Sequence, residues 1–284
     1  MSILTISSKI TLNNGVEIPI IGLGTYKAPE GEGVINEVTW ALNAGYRLID
    51  TAKIYKNEEG VGNAINESSI PREDIFLTTK LWNPDQGYES TLKAIDESLQ
   101  KLKLDYVDLY LVHWPTADPE AKDSNNKREE TWKAMEEIYK SGKAKAIGVS
   151  NYTITHLEEM KKYATILPAV NQVEFHPYLF QKELLDYCKE NNIVLEAYRP
   201  LTNGKKMSNE VIDGIAKKYN KTNAQILVRW SIQNGCIPLP KSVHKERIEE
   251  NINIFDFELS EDDMHSIDSL NENFRLSPDP TNLK

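Results

Sequence analysis

A chain of 284 residues, 40% of them hydrophobic, is long enough to bury a sizeable core, and single α/β barrels reach this length, so one domain over residues 1–284 is expected. A formal net charge of −10 argues against general affinity for nucleic acid or an anionic membrane surface, while leaving room for a local basic pocket. Residues 1–9 lack a basic region followed by a long apolar core, and no later apolar run approaches the ~20 residues of a membrane helix, so a cytoplasmic location is expected. Cys188 and Cys236 lie far apart without a C-x-x-C or Cys/His set, which indicates neither a disulfide framework nor a zinc site.

Taken in order, Ile10–Pro19 alternates around Asn14-Gly15 and predicts a β-hairpin ahead of the main fold. Ile20–Thr25 reads as a short strand whose glycines allow close backbone approach or simply a tight turn. Strands are then predicted over Leu48–Asp50, Phe76–Lys80, Val107–His113, Ala144–Ser150, Ala169–Glu174, Val194–Tyr198 and Ile237–Pro240. Amphipathic helices fall between them at Val34–Ala44, Glu58–Ile65, Ser90–Leu102, Thr131–Lys140, Ile154–Tyr163, Lys182–Glu190, Asn209–Tyr219 and Ala224–Gln233. Gly45, Gly142 and Gly148 are expected at helix exits and turns, and the polar stretch Ala117–Arg128 as an exposed loop.

Eight βα units in this length favour an α/β fold of the closed (β/α)₈ TIM-barrel type over an open doubly wound sheet. The fold carries an N-terminal β-hairpin, and extra helices follow near the C-terminus, one starting near His244 and one capped by Ser260. No G-x-G-x-x-G opens a helix, since Gly22 and Gly24 fit only its first half.

The chemistry is expected where strands end. The stretch Arg47–Tyr55 is an apolar strand closing on Asp50 with Tyr55 just beyond it, Phe76–Lys80 closes on a lysine, and Val107–His113 closes on a histidine. Asp50 is costly to bury without a cationic partner, and Lys80 is a natural one. Asp50 and His113 with Glu174 or His176 could be read as metal ligands, but no matched strand set supports that and no metal is expected.

Read together, Leu23-Gly24-Thr25, the D-T-A-x-x-Y of Asp50 to Tyr55, Thr79-Lys80-Leu81-Trp82, Leu111-Val112-His113-Trp114, Gly148 to Asn151, Asn171 to Glu174 and Pro240-Lys241-Ser242 resemble the aldo-keto reductase superfamily, in family order across nearly the whole barrel. The resemblance implies an NADPH-dependent reductase of aldehydes or ketones that acts as a monomer. Tyr55 would be the proton donor, Lys80 and Asp50 its electrostatic partners, and His113 the group orienting the carbonyl. A phenol near pKa ~10 is a weak acid, and a neighbouring ammonium is expected to ease its ionisation.

The same resemblance puts Ser150, Asn151 and Gln172 around the nicotinamide carboxamide and stacks Tyr198 on its ring, with Gly24, Thr25 and Leu201 completing the cofactor contacts. Lys241, Ser242 and Arg247 would hold a 2′-phosphate, with Glu250 and Asn251 on the adenine side. Outside that context Ser150-Asn151 reads as a helix cap, Tyr198 as core and Lys241-Ser242 as a solvated helix start. Arg199 stands where many relatives have serine, and either grips the pyrophosphate or points to solvent. Tyr26, Trp82 and Trp114 are expected to wall a pocket for the carbonyl substrate. A barrel that binds NADPH to regulate a partner, with little or no turnover, is the competing class. His156 reads as a surface or packing residue of its helix, and His176 carries a weak expectation of ligand contact.

Overall fold

The computed structural model describes residues 4–116 and 124–283. A hairpin of β1 (Lys9–Thr11) and β2 (Glu17–Pro19) leads into β3 (Leu23–Gly24), α1 (Glu32–Ala44), β4 (Leu48–Asp50), α2 (Glu58–Asn66), β5 (Phe76–Leu81), α3 (Tyr88–Leu102) and β6 (Val107–Val112). Next come α4 (Ser124–Ser141), β7 (Ala144–Ser150), α5 (Ile154–Met160), β8 (Val170–Glu174), α6 (Lys182–Glu190) and β9 (Val194–Tyr198). The chain continues through α7 (Glu210–Tyr219), α8 (Asn223–Gln233), β10 (Ile237–Leu239), α9 (Lys245–Ile252) and α10 (Glu261–Asp268).

Strands β3 to β10 pair in parallel and in sequence order. The ring closes where Gly22 and Gly24 donate their backbone N–H groups to the carbonyls of Pro238 and Pro240, both at 3.1 Å. Prolines have no N–H to give back, so this seam between first and last strands is bonded from the β3 side. It is also tight: a Cβ on Gly22 would fall 2.7 Å from Leu239 Cδ2 and 2.5 Å from Leu48 Cγ. The result is the expected eight-stranded TIM barrel, with α9 and α10 as the C-terminal additions.

Side chains alternate along each strand, and this divides the core in two. Ile49, Leu77, Tyr110 and Val149 face the helices, whereas Leu48, Phe76, Leu109, Leu111, Ala146, Val170, Ile237 and Leu239 fill the barrel. Leu12 and Ile18 of the hairpin pack on this inner set and plug its N-terminal end. Counting by twos from these inner residues, and from Val194 beside them on β9, gives Asp50, Lys80, His113, Ser150, Gln172 and Glu196, so the barrel turns polar toward its C-terminal end.

Some local expectations change. In the hairpin only Gly15 takes a positive φ of 86°, while Asn14 accepts the N–H of Val16 at 3.2 Å and donates to the carbonyl of Lys145 at 2.9 Å. Gly148 marks no turn: it lies inside β7, where a Cβ would meet the Val170 carbonyl oxygen at 2.6 Å. Of the stretch expected as an exposed loop over Ala117–Arg128, residues 117–123 lie outside the described residues, and α4 has already begun at Ser124. Arg128 is buried there, donating to both oxygens of Glu159 at 2.8 and 3.0 Å and to the carbonyl of Pro115 at 3.1 Å. An arginine buries readily when its fork meets a carboxylate, which polarity alone does not reveal.

Among the described residues no helix is long and apolar enough to cross a membrane.

Candidate active site

At the C-terminal end of the barrel, Lys80 is wholly buried, and its ammonium donates to Asp50 Oδ1 at 2.7 Å, to the Thr51 carbonyl at 2.9 Å and to the Tyr55 hydroxyl at 3.3 Å. Asp50 and Lys80 reach each other because β4 and β5 pair Asp50 with Thr78, which places Lys80 two residues further on the same inner face. Tyr55 sits on a single 3₁₀ turn, Lys53–Tyr55. Ion pairs from Lys53 to Asp85 and Glu97, both 2.9 Å, hold that turn against the neighbouring unit. Buried Asn57 fixes its far side by accepting from Thr51 Oγ1 at 2.7 Å and donating to the Thr25 carbonyl at 2.9 Å.

The His113 ring stands edge-on to Tyr55 at 5.7 Å and to Trp82 at 5.5 Å. Burial, helped by the Lys80 charge, holds this imidazole well below its ordinary pKa, so it is neutral, and its Nδ1 has no hydrogen-bond partner among the described residues. Tyr55 moves opposite to the sequence expectation: burial, then the negative charge of Asp50, drive its pKa far above that of a free phenol, with Arg199 opposing. Burial is the larger cause, and the 2.7 Å ion pair adds to it, because Asp50 sets a negative charge against the Lys80 ammonium that the phenol would otherwise feel. Tyr55 is therefore a phenol across the physiological range.

Asp50, Tyr55 and His113 line a cleft of about 1010 Å³ that runs from their end of the barrel to the start of α9. Tyr26, Trp82 and Trp114 wall its inner end, with the Tyr26 ring 5.0 Å from that of Tyr55. Gly24, Asn151, Gln172, Tyr198, Arg199 and Leu201 follow along it, then Lys241, Ser242, Arg247, Glu250 and Asn251. Three expected members stand behind the wall: Lys80 is wholly buried, Thr25 Oγ1 donates to the Asp50 carbonyl at 2.9 Å, and Ser150 Oγ to that of Gln172 at 2.7 Å. Tyr198 Oη donates to Asn151 Oδ1 at 2.7 Å, and Asn151 Nδ2 to the His113 carbonyl at 2.9 Å, so cleft floor and inner end form one network.

At the outer end, Lys241 lies 3.9 Å from buried Glu37, whose carboxyl burial pushes up to about 7 against the pull of that lysine. Arg247 is exposed on the first turn of α9, and no carboxylate among the described residues pairs with it. Among the described residues no group of three or more His, Cys, Asp or Glu side chains is placed to hold a metal.

The aldo/keto reductase family model matches residues 20–272. This chain belongs to the aldo/keto reductase family. It is 52% identical over 279 residues to a glyoxal reductase of Bacillus subtilis, covering 98% of each chain. The crystal structure of MGS-M4, an aldo-keto reductase from a Medee basin deep-sea metagenome library, superposes with a TM-score of 0.91 at 49% identity, covering 98% of this chain and 100% of that one. A Bombyx mori aldo-keto reductase in complex with NADP gives 0.89 at 37% identity, covering 97% and 96%.

Several residues of this aldo/keto reductase escaped the sequence reading or take a part it left open. Glu174 and Glu196 are wholly buried on the inner face, and counting by twos back from Tyr198 or on from Gln172 finds both. Arg199 does not turn to solvent: it lines the cleft, its Nη1 3.9 Å from Glu174 Oε2. Glu174 also accepts from His176 Nε2 at 3.0 Å and from the backbone N–H groups of Leu276 and Ser277 at 2.8 and 2.7 Å. Burial alone would raise this carboxyl, but those bonds outweigh it and hold its pKa below the ordinary value. His176 is thus a partner of Glu174 and is absent from the cleft lining, whereas the C-terminal segment brings Ser277 and Pro278 to the cleft mouth. His156 packs as expected, its Nδ1 closing a capping box with Thr153 at the start of α5. Thr222, Asn223 and Ala224 border the outer end, where Thr222 Oγ1 donates to Glu250 Oε1 at 2.7 Å; only a helix start marked them in the sequence.

Proposed function

We propose that this protein reduces aldehydes or ketones to alcohols with NADPH, Tyr55 giving the proton and Lys80, Asp50 and His113 supporting it. The observation that carries the reading is the Tyr55 hydroxyl 3.3 Å from a buried ammonium, beside a neutral imidazole, at the inner end of a cleft large enough for a dinucleotide and a small substrate.

The side chains present fit that cofactor. Asn151, Gln172 and Tyr198 offer amide and aromatic surfaces at the inner end, while Lys241, Ser242 and Arg247 gather at the start of α9, where unpaired backbone N–H groups favour a phosphate. Bound there, the reduced nicotinamide supplies the hydride. Tyr55 delivers its hydroxyl proton to the carbonyl oxygen as negative charge gathers on it, and the Lys80 ammonium stabilises the phenolate left behind. Asp50 keeps Lys80 charged and in place. His113 lends an uncharged hydrogen bond that orients the carbonyl oxygen, and Tyr26, Trp82 and Trp114 exclude water around it.

NADPH consumption, followed by absorbance over a panel of aldehydes and ketones headed by glyoxal, is expected to show turnover. Glyoxal leads because the 52% identical relative is named for it. Tight NADPH binding with no turnover across the panel would reject reduction in favour of a regulatory binder.

Cofactor choice gives a separate expectation. Arg247→Ala removes an exposed cation from the basic end of the cleft, and the two cofactors differ by one phosphate, so Kd for NADPH should rise about tenfold and that for NADH less than twofold. Equal losses in fluorescence titrations would remove Arg247 from the phosphate site.

A further inference from the structure

One acid of the inner wall has no task in this chemistry. Glu196 is wholly buried on β9, directly opposite Gln172 of β8 in the parallel register. Its Oε2 accepts from Gln172 Nε2 at 2.7 Å, and the same nitrogen donates to Asp50 Oδ2 at 2.8 Å. A primary amide nitrogen carries two hydrogens, so both are committed to the interior. The two carboxyl acceptors also decide which end of the amide is nitrogen, since turning it would set its oxygen against both. Gln172 lines the cleft, and Oε1 is the one polar atom of its side chain without a hydrogen bond among the described residues.

We propose that Glu196 is a positioning residue that locks the Gln172 amide so that it presents only an acceptor to the cleft. A ligand amide is then received through its NH₂, which fixes how a nicotinamide carboxamide lies and so which face of the ring meets the substrate. This rests on the cleft being the nicotinamide site. Burial, then the nearby Asp50 charge, push Glu196 up to about 8, so near neutral pH it holds Gln172 while adding little charge beside the Asp50–Lys80 pair. Of the charged groups that act on it, Asp50 comes from β4 and Lys80 from β5. A plain apolar residue would fill the space, but it would leave the Gln172 amide held by Asp50 alone.

The test compares Glu196→Met, close in length but without an acceptor, with Glu196→Gln, which keeps a carbonyl oxygen for Gln172. NADPH binding is read by fluorescence titration without substrate, and folding by thermal melts. The Met variant should bind NADPH about tenfold more weakly, the weight of one hydrogen bond, and the Gln variant within twofold of the parent. With NADPH deuterated on the transferred position, the Gln variant should keep complete transfer of label and the Met variant should lose it in part.

Parental binding by the Met variant, or equal weakening in both, would overturn the proposal. Should Glu196→Met prove too unstable, Gln172→Met and Gln172→Met/Glu196→Met supply the same decision. The two should bind NADPH equally, because Glu196 acts through an amide that both lack, and a further loss in the double variant would overturn it. If the parent itself fails to bind NADPH, it is the cofactor reading that falls.

Discussion

Tyr55→Phe is expected to lower kcat by 10²- to 10⁴-fold while leaving the Kd for NADPH within about twofold, the range over which a positioned general acid acts. The substitution deletes one oxygen. The ring keeps its contacts with Tyr26 at 5.0 Å and His113 at 5.7 Å, and the hydroxyl lost makes only a long 3.3 Å bond to Lys80, whose stronger bonds to Asp50 and Thr51 stay. Neither neighbour takes over the proton. His113 is neutral with its pKa well below the usual imidazole value, and so is a poor proton source near pH 7, while Lys80 is committed to Asp50. Steady-state rates on the best carbonyl compound together with a cofactor titration decide the matter, and a kcat within threefold of the parent would remove Tyr55 from the role.

Breaking the Asp50–Lys80 pair should damage stability as much as chemistry. Asp50→Leu leaves an ammonium at the centre of the barrel with only the Thr51 carbonyl at 2.9 Å and the Tyr55 hydroxyl to receive it. A buried charge stripped of its partner typically costs about 3–5 kcal/mol. Lys80→Met leaves Asp50 buried with Gln172 Nε2 as its side-chain donor and should cost a comparable amount. The double variant Asp50→Leu/Lys80→Met orphans neither charge and should be less destabilised than the two singles summed, though as inactive as either. Urea unfolding of the four proteins measures this coupling. Strict additivity would mean that the pair contributes nothing to the fold beyond its separate members.

Much of this was legible in the sequence, because a parallel barrel writes its inner face every second residue. Leu48 and Asp50, Phe76 and Lys80, Leu111 and His113 each pair an apolar inner residue with the polar group that ends the strand, and the helices between them fall within a few residues of expectation except α4. Glu174 and Glu196 obeyed the same arithmetic, but Glu196 was passed over and Glu174 weighed only as a metal ligand, since a buried acid declares itself only through its partners. Those partners come from a backbone segment 102 residues away in one case and an amide on the adjacent strand in the other. The electrostatics of Tyr55 were hidden for a related reason. A lysine beside a phenol suggests an acidified hydroxyl, and only the burial of Tyr55, together with the 2.7 Å bond from Lys80 to Asp50, shows why it is not one. Arg128 misled in the opposite sense, a charge read as solvent-facing that closes on Glu159 beneath the surface.

The line where the barrel meets itself carries one more implication. Its bonds run one way, from Gly22 and Gly24 to two prolines, and Gly24, Leu239, Pro240 and Lys241 also border the cleft. Whatever fills that cleft lies against both ends of the sheet and bastes them together, adding about 2.7 kcal/mol to the folded state at a hundred times its Kd. Resistance to heat and to proteases should then rise with the concentration of ligand around the protein.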